Sequence, residues 1–275
     1  MDTALDPAYS FLSHELKVGD TPYEWKDFKA QRLRKYPKPP SSLKFRNHIG
    51  GGIEGVVLRA RADNDEEVAV KIYFHNEQPE PVWGVKRIFP FEWECRNCAA
   101  LELISTSLRA AAANDRQILL HPGPKTRREA IRNLRAFSSD HDDKYRSDPP
   151  DGFEAAVPDV HINDCLGWMR LDGDQAWSVF GRLRVDHRDL TKLPWYFAMV
   201  YKFVPKGDHQ EDVVRSQYNF FYSAGFVCAP YKEDNWRGSG ILVDMADLVL
   251  PMAPEWNAFN YGRRVERKGR KYCLE

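Results

Sequence analysis

The chain has 275 residues, of which 43% are hydrophobic and 13% aromatic, and its 40 Lys and Arg balance its 40 Asp and Glu. This composition indicates a globular protein of one large domain or two small lobes and argues against disorder. Zero net charge gives no general attraction to nucleic acid or membranes, and neither a signal peptide nor a transmembrane run is evident. We therefore expect an intracellular protein, nuclear or cytoplasmic, with no membrane association and no direct nucleic-acid binding.

The first 44 residues are predicted to be an N-terminal extension and linker. A helix is possible over residues 22–35, and the proline-rich stretch 36–42 indicates a linker. Alternating apolar residues then predict strands over residues 45–74.

A glycine motif lies at the start of these strands. Gly50, Gly52, Gly55 and Val57 fit the pattern G-x-G-x-x-G-x-V, and a Val-Ala-Val-Lys strand follows and ends in Lys71. Glycines allow a strand–turn–strand segment to bring backbone N–H groups close to phosphates. A lysine on the next strand can then reach the same phosphates as a point charge.

A helix is predicted from about residue 91 to residue 113. Its apolar positions recur at helical spacing: Phe91, Cys98, Leu101 and Leu108. Glu94 lies three residues after Phe91 and four before Cys98, so it shares the inward face of this helix, and Glu92 and Glu102 are competing acidic residues.

The five cysteines favour reduced thiols over a disulfide framework, because their number is odd and four are scattered through apolar surroundings. Cys95 and Cys98 have the spacing of half a zinc site, but no second pair matches it. The simpler interpretation is two small apolar residues on a buried helix face.

The second half of the chain alternates between polar stretches and regular elements. Residues 114–157 are predicted to be an inserted polar loop with a helix at 127–137, and 138–150 a mobile loop. Strands are expected at 159–171 and 195–204, and a Pro-Lys-Gly break at 205–207. A helix at 211–224 ends at Gly225, and a strand at 240–243 precedes Asp244.

In this order the elements resemble the protein-kinase-like fold. The resemblance implies an α+β fold with an N-lobe of antiparallel strands plus one helix and a reduced C-lobe. The N-lobe would span residues 45–204, including the inserted loop, and the C-lobe residues 205–262, followed by a basic tail at 263–275.

The resemblance also implies a site for ATP and Mg²⁺. The implied ATP-binding residues comprise the phosphate loop, the residues around the adenine, the lysine and its glutamate: Gly50, Gly52, Gly55, Val57, Ala69, Lys71 and Glu94. The implied metal ligands are Asn235 and Asp244, which flank a predicted strand pair and offer the oxygen atoms that Mg²⁺ requires. Asp247 is a rival to Asp244.

The departures from the kinase pattern suggest impaired catalysis. The catalytic base would lie five residues before Asn235, where Pro230 cannot accept a proton. His187 begins a literal His-Arg-Asp-Leu motif, but Pro194 replaces the asparagine expected after it. No helix is expected before that motif, so we interpret it as a polar turn and assign no catalytic residue. Asp189 and Asp234 remain alternative bases.

Several segments resemble a fungal family of truncated kinase-like proteins named after an inner-kinetochore subunit of the Fta type, from the Sim complex of fission yeast. They include PFEWECRNCAALEL, LGWMRL, QYNFFYSAGF and NWRGSGILVDMADLVLP. The resemblance implies a pseudokinase that serves as a scaffold for protein partners, including kinetochore subunits. The alternatives are an active atypical kinase and a remnant that binds no nucleotide.

Overall fold

The computed structural model describes residues 9–80, 89–141, 152–156, 162–186 and 191–262, together with the backbone of 265–268 and 271–274. Its contacts divide the chain into two compact units. The sheet unit consists of Met1–Gly19, Arg32–Arg96 and Asp164–Phe203. The helical unit consists of Asp20–Gln31, Asn97–Asn163 and Val204–Glu275.

The architecture is α+β, with one large, mostly antiparallel sheet. The helices of the described residues are α1 (Trp25–Lys29), α2 (Pro90–Ala113), α3 (Arg127–Arg135), α4 (Gly173–Arg182), α5 (Glu211–Ser223) and α6 (Ala258–Tyr261). The strands are β1 (Leu12–Leu16), β2 (Leu33–Lys35), β3 (Lys44–Gly51), β4 (Gly55–Arg61), β5 (Glu67–Tyr73), β6 (Leu119–Leu120), β7 (Glu154–Ala155), β8 (Cys165–Asp172), β9 (Trp195–Lys202), β10 (Val227–Cys228), β11 (Trp236–Arg237), β12 (Ile241–Leu242), β13 (Leu248–Val249), β14 (Val265–Lys268) and β15 (Lys271–Leu274).

The sheet unit is built on a seven-stranded sheet with the order β1-β2-β8-β9-β5-β4-β3. Strand β2 pairs in parallel with both β1 and β8, and the remaining pairs are antiparallel. Because side chains alternate along a strand, one face of β4 and β5 is apolar. That face is buried in a core with the apolar side of α4, and its residues include Val56, Leu58, Val68, Val70, Ile72, Ala176, Val179 and Phe180.

In the helical unit, buried polar side chains connect short elements. Asn97 of α2 donates its amide hydrogens to the carbonyl oxygens of Met245 and Leu248, at 2.8 Å each. Gln217 of α5 similarly connects Gly240 and Leu242. Such bonds satisfy the backbone of two- and three-residue elements that have few ladder bonds of their own.

Several predicted elements are confirmed. Helix α2 covers the predicted range, α3 lies within residues 127–137, and α5 ends within one residue of the expected position. Gly225 follows the last helical turn with a φ of +99°, as expected of a helix-ending glycine. Cys95 and Cys98 are both buried on α2, in line with their interpretation as small apolar residues.

The expectation of a separate extension before residue 45 is wrong. Strands β1 and β2 belong to the main sheet, and Lys35 is in register with Trp168 of β8. The helix expected over residues 22–35 is confined to α1. The chain is extended again by Leu33, whose N–H donates to the carbonyl oxygen of Phe11 at 3.0 Å.

A helix also occurs where none was expected, between β8 and the His-Arg-Asp-Leu motif. Asp172 caps α4 by accepting the N–H groups of Asp174 and Gln175 at 2.9 and 3.1 Å. An aspartate at the N-cap position is a local signal in the sequence that could have predicted this helix. The motif itself, residues 187–190, lies outside the described residues.

Strands also occur in the inserted loop and in the basic tail. The inserted loop at 114–157 includes β6 and β7, which pair with each other, and the inserted segment belongs to the helical unit. Most of the loop expected at 138–150 lies outside the described residues. The basic tail contributes the β14–β15 backbone hairpin.

Candidate functional site

The glycine motif forms a β-hairpin between β3 and β4. Gly50 lies opposite Val57 in the ladder, and the Gly52 N–H donates to the carbonyl oxygen of Gly55 at 2.9 Å. Ile53, at the tip of the turn, is 94% exposed. The predicted strand–turn–strand conformation is therefore confirmed.

The three glycines of the motif differ in how much space their surroundings leave for a side chain. A Cβ at Gly55 would lie 2.4 Å from the carbonyl oxygen of Ile72, so the close approach of β5 requires a glycine there. A Cβ at Gly50 or Gly52 would have no heavy atom within 4 Å. Packing thus explains Gly55 alone, whereas open space surrounds the Cβ positions of Gly50 and Gly52.

Val57, Ala69 and Lys71 lie on the sheet face opposite the apolar core. Val57 is directly opposite Lys71 in the β4–β5 ladder, and Ala69 is opposite Tyr201 in the β5–β9 ladder. Val57 and Ala69 are half-buried. A small residue beside a β-branched one provides a shallow apolar floor next to the lysine.

Lys71 forms the predicted ion pair with Glu94. Its Nζ lies 2.5 Å from Glu94 Oε2, and the two side chains are 13% and 1% exposed. Glu92 instead pairs with Arg96 one turn along α2, and Glu102 lies in the helical unit. The helix-face criterion therefore selected the correct glutamate.

Two further donors to Glu94 were missed by sequence reasoning. The Tyr73 hydroxyl donates to Oε2 at 2.6 Å, and the Tyr201 hydroxyl donates to Oε1 at 2.5 Å. Tyr73 could have been found because it is two residues beyond Lys71 on the same strand face. Tyr201 had no local signal, since its proximity depends on the pairing of β5 with β9.

The predicted metal ligands Asn235 and Asp244 lie in the helical unit and flank the antiparallel pair β11–β12, as expected. The Val243 N–H donates to the carbonyl oxygen of Asn235 at 2.9 Å, which holds the two segments together. The Asp244 carboxylate accepts the Ala246 N–H at 3.2 Å and caps the 3₁₀ turn Met245–Asp247.

The rival Asp247 is the hydrogen-bond partner of Asn235. Asn235 Nδ2 donates to Asp247 Oδ2 at 2.7 Å, and Lys232 Nζ lies 3.6 Å from Oδ1. Burial raises the pKa of the Asp247 carboxyl, and the nearby Asp244 adds to the effect, whereas Asn235 and Lys232 oppose it. Oxygen atoms of Asn235, Asp244 and Asp247 are of the type that suits Mg²⁺.

Of the two alternative bases, only Asp234 lies among the described residues. Asp234 is exposed on the 3₁₀ turn Glu233–Asn235. Pro230 has no titratable group, and Asp189 lies outside the described residues. Across the part of the chain that the structure describes, no group of three or more His, Cys, Asp or Glu is arranged to hold a metal.

Comparison with protein-family models found no matching family, and comparison with curated proteins found no similar sequence. Among the described helices, none combines the length and apolar character needed to cross a membrane.

Proposed function

We propose that the protein is a pseudokinase-like module that binds ATP through the glycine hairpin and Lys71 and serves as a scaffold for protein partners. The observation that carries this proposal is the buried Lys71–Glu94 pair beside the hairpin. Protein kinases use the same combination, a strand lysine held by a helix glutamate, to engage the phosphates of ATP.

Two other features support nucleotide binding. The hairpin has open space around the Cβ positions of Gly50 and Gly52, and Val57 and Ala69 form a half-buried apolar floor on the Lys71 face. A phosphate group would pair with the lysine, and a purine ring would cover the apolar floor. Asn235 and Asp244 are the proposed Mg²⁺ ligands on the basis of their oxygen chemistry.

Thermal unfolding with ATP tests this proposal, in the presence and absence of Mg²⁺. Ligand at 100 times its Kd should stabilise the native protein by about 2.7 kcal/mol, enough to raise Tm by several degrees. Lys71→Met should abolish the rise, whereas Lys202→Met, an exposed lysine on the same sheet, should retain it. No rise for the wild type at millimolar ATP would refute nucleotide binding.

The scaffold role is proposed for the nucleus or cytoplasm, and its support is the resemblance of several segments to the fungal kinetochore family. A pseudokinase is favoured over an active kinase because Pro230 occupies the position of the base. Transfer of labelled phosphate from ATP to a protein or small molecule would establish the alternative, an active atypical kinase.

A further inference from the structure

The carboxylate of Glu94 is hydrogen bonded at both oxygens inside the sheet unit. Tyr201 donates to Oε1, whereas Tyr73 and Lys71 both donate to Oε2. The side chain of Glu94 is only 1% exposed. Burying an ionised carboxylate is costly unless hydrogen bonds replace its lost hydration, and these three donors provide that replacement.

The thioether of Met199 is another acceptor that lies near both tyrosine hydroxyls. Its Sδ lies 3.2 Å from the Tyr73 hydroxyl and 3.6 Å from the Tyr201 hydroxyl. A thioether is a weak acceptor, whereas a carboxylate forms short, charge-assisted bonds. Both hydroxyl protons therefore point to Glu94, and Met199 fills the apolar space between the rings.

The two hydroxyls restrain different oxygen atoms of the Glu94 carboxylate. A single Lys71 contact at Oε2 leaves the carboxylate able to rotate about its last side-chain bond. Tyr201 fixes the opposite oxygen, and Tyr73 fixes the oxygen that Lys71 uses. Glu94 then presents one defined acceptor position to the ammonium group.

We propose that Tyr73 and Tyr201 are positioning residues for Lys71. They hold the Glu94 carboxylate in one orientation, so that the ammonium group stays at one point on the sheet face whether or not a ligand is bound. The effect on nucleotide affinity rests on the proposed function, but the effect on Lys71 itself does not.

The first test observes the Lys71 ammonium directly by proton–nitrogen NMR, without nucleotide. An ammonium held by a buried carboxylate exchanges slowly enough with water to give a signal, which Lys71→Arg identifies by its loss. Tyr201→Phe should shift or broaden that signal. The matched control is Tyr196→Phe on the same strand, because its buried hydroxyl bonds Trp177 and Leu193 instead.

The second test measures Mg²⁺–ATP affinity of the same variants by calorimetry. Removing one charge-assisted hydrogen bond should weaken binding about tenfold in Tyr201→Phe, which corresponds to about 1.4 kcal/mol. Tyr196→Phe should stay within about twofold of the wild type. Should Tyr201→Phe fail to fold, Tyr73→Phe replaces it, because its hydroxyl shares Oε2 with Lys71.

The outcomes separate this inference from the proposed function. A changed Lys71 signal in a protein that binds no ATP supports the positioning role and refutes nucleotide binding. An unchanged signal in folded Tyr201→Phe and Tyr73→Phe overturns the positioning role, even if ATP binds. Equal signal changes in Tyr196→Phe also overturn it, because a general loss of stability would then account for the effect.

Discussion

Among single residues, Asp247 carries a carboxyl group whose pKa the fold raises, chiefly through burial. Its side chain is 12% exposed, and it accepts a hydrogen bond from Asn235. A raised pKa means that the native protein retains this proton at pH values where the unfolded chain has lost it. The sign of the resulting pH dependence is therefore opposite to that of a carboxylate in a strong ion pair.

We predict that the contribution of Asp247 to stability is lost as the pH rises from about 4, the unfolded pKa of aspartate, through the raised native pKa of Asp247. Each unit of difference between the two pKa values corresponds to about 1.4 kcal/mol. Asp247→Asn should remove this contribution and retain an acceptor for Asn235. Urea unfolding of both proteins between about pH 4 and pH 7 measures the difference.

Asp140 provides a control of opposite sign. It accepts the Trp25 N–H at 2.8 Å, and this bond lowers the pKa of its carboxyl. Its contribution is present above the unfolded pKa and is lost as the pH falls, and it is small because Asp140 is exposed. If Asp247→Asn and Asp140→Asn changed the pH profile in the same direction, the assignment for Asp247 would be wrong.

At the scale of elements, the end of α5 depends on Gly225. Its φ of +99° belongs to the left-handed region, and a Cβ there would lie 2.6 Å from the carbonyl oxygen of Ala130 in α3. The carbonyl of Gly225 also accepts the Trp256 indole N–H at 3.0 Å. One glycine thus ends a helix and allows two segments of the helical unit to approach it closely.

We predict that Gly225→Ala destabilises the protein by more than about 1 kcal/mol, because it adds both backbone strain and a clash with backbone atoms. Gly181→Ala is the matched substitution inside α4, where a Cβ meets no heavy atom within 4 Å. It should stabilise the protein by up to about 1 kcal/mol through helix propensity. Chemical denaturation would contradict this account if both variants changed stability with the same sign.

For the molecule as a whole, the sheet unit is assembled from three separated stretches of chain. Phe11, immediately before β1, is fully buried and makes edge contacts with Phe89 and Phe91. The Trp168 indole N–H donates to the carbonyl oxygen of Ser13 at 2.9 Å. Phe11 is therefore part of the aromatic core at the start of α2.

We predict that Phe11→Ala costs about 3–5 kcal/mol of unfolding free energy, because it leaves a cavity among buried aromatic rings. Leu16→Ala, at a position that is 51% exposed near the other end of β1, should change stability by less than about 1 kcal/mol. If urea unfolding showed equally small changes in unfolding free energy for Phe11→Ala and Leu16→Ala, the residues around β1 would again be interpreted as an extension outside the fold.

Much of the regular structure was predictable because the spacing of apolar residues along a helix or strand indicates which side of it is buried. The helical spacing in α2 placed Glu94 on the inward face, where it pairs with Lys71. The glycine spacing predicted the hairpin, because a turn is decided by a few neighbouring residues. Asn235 and Asp244 were likewise expected beside a strand pair, and they flank β11 and β12.

The amino-acid sequence by itself thus determined the main elements and the Lys71–Glu94 pair. Only the tertiary structure decided that β1 and β2 join β8, that Tyr201 reaches Glu94 across 107 positions of sequence, and that Asn235 bonds Asp247. Such contacts are determined by strand order and register. Strand order and register in turn depend on the burial and hydrogen bonding of the whole sheet and its neighbouring helices. No short pattern along the chain contains that information, because each contact depends on where distant segments have already been placed.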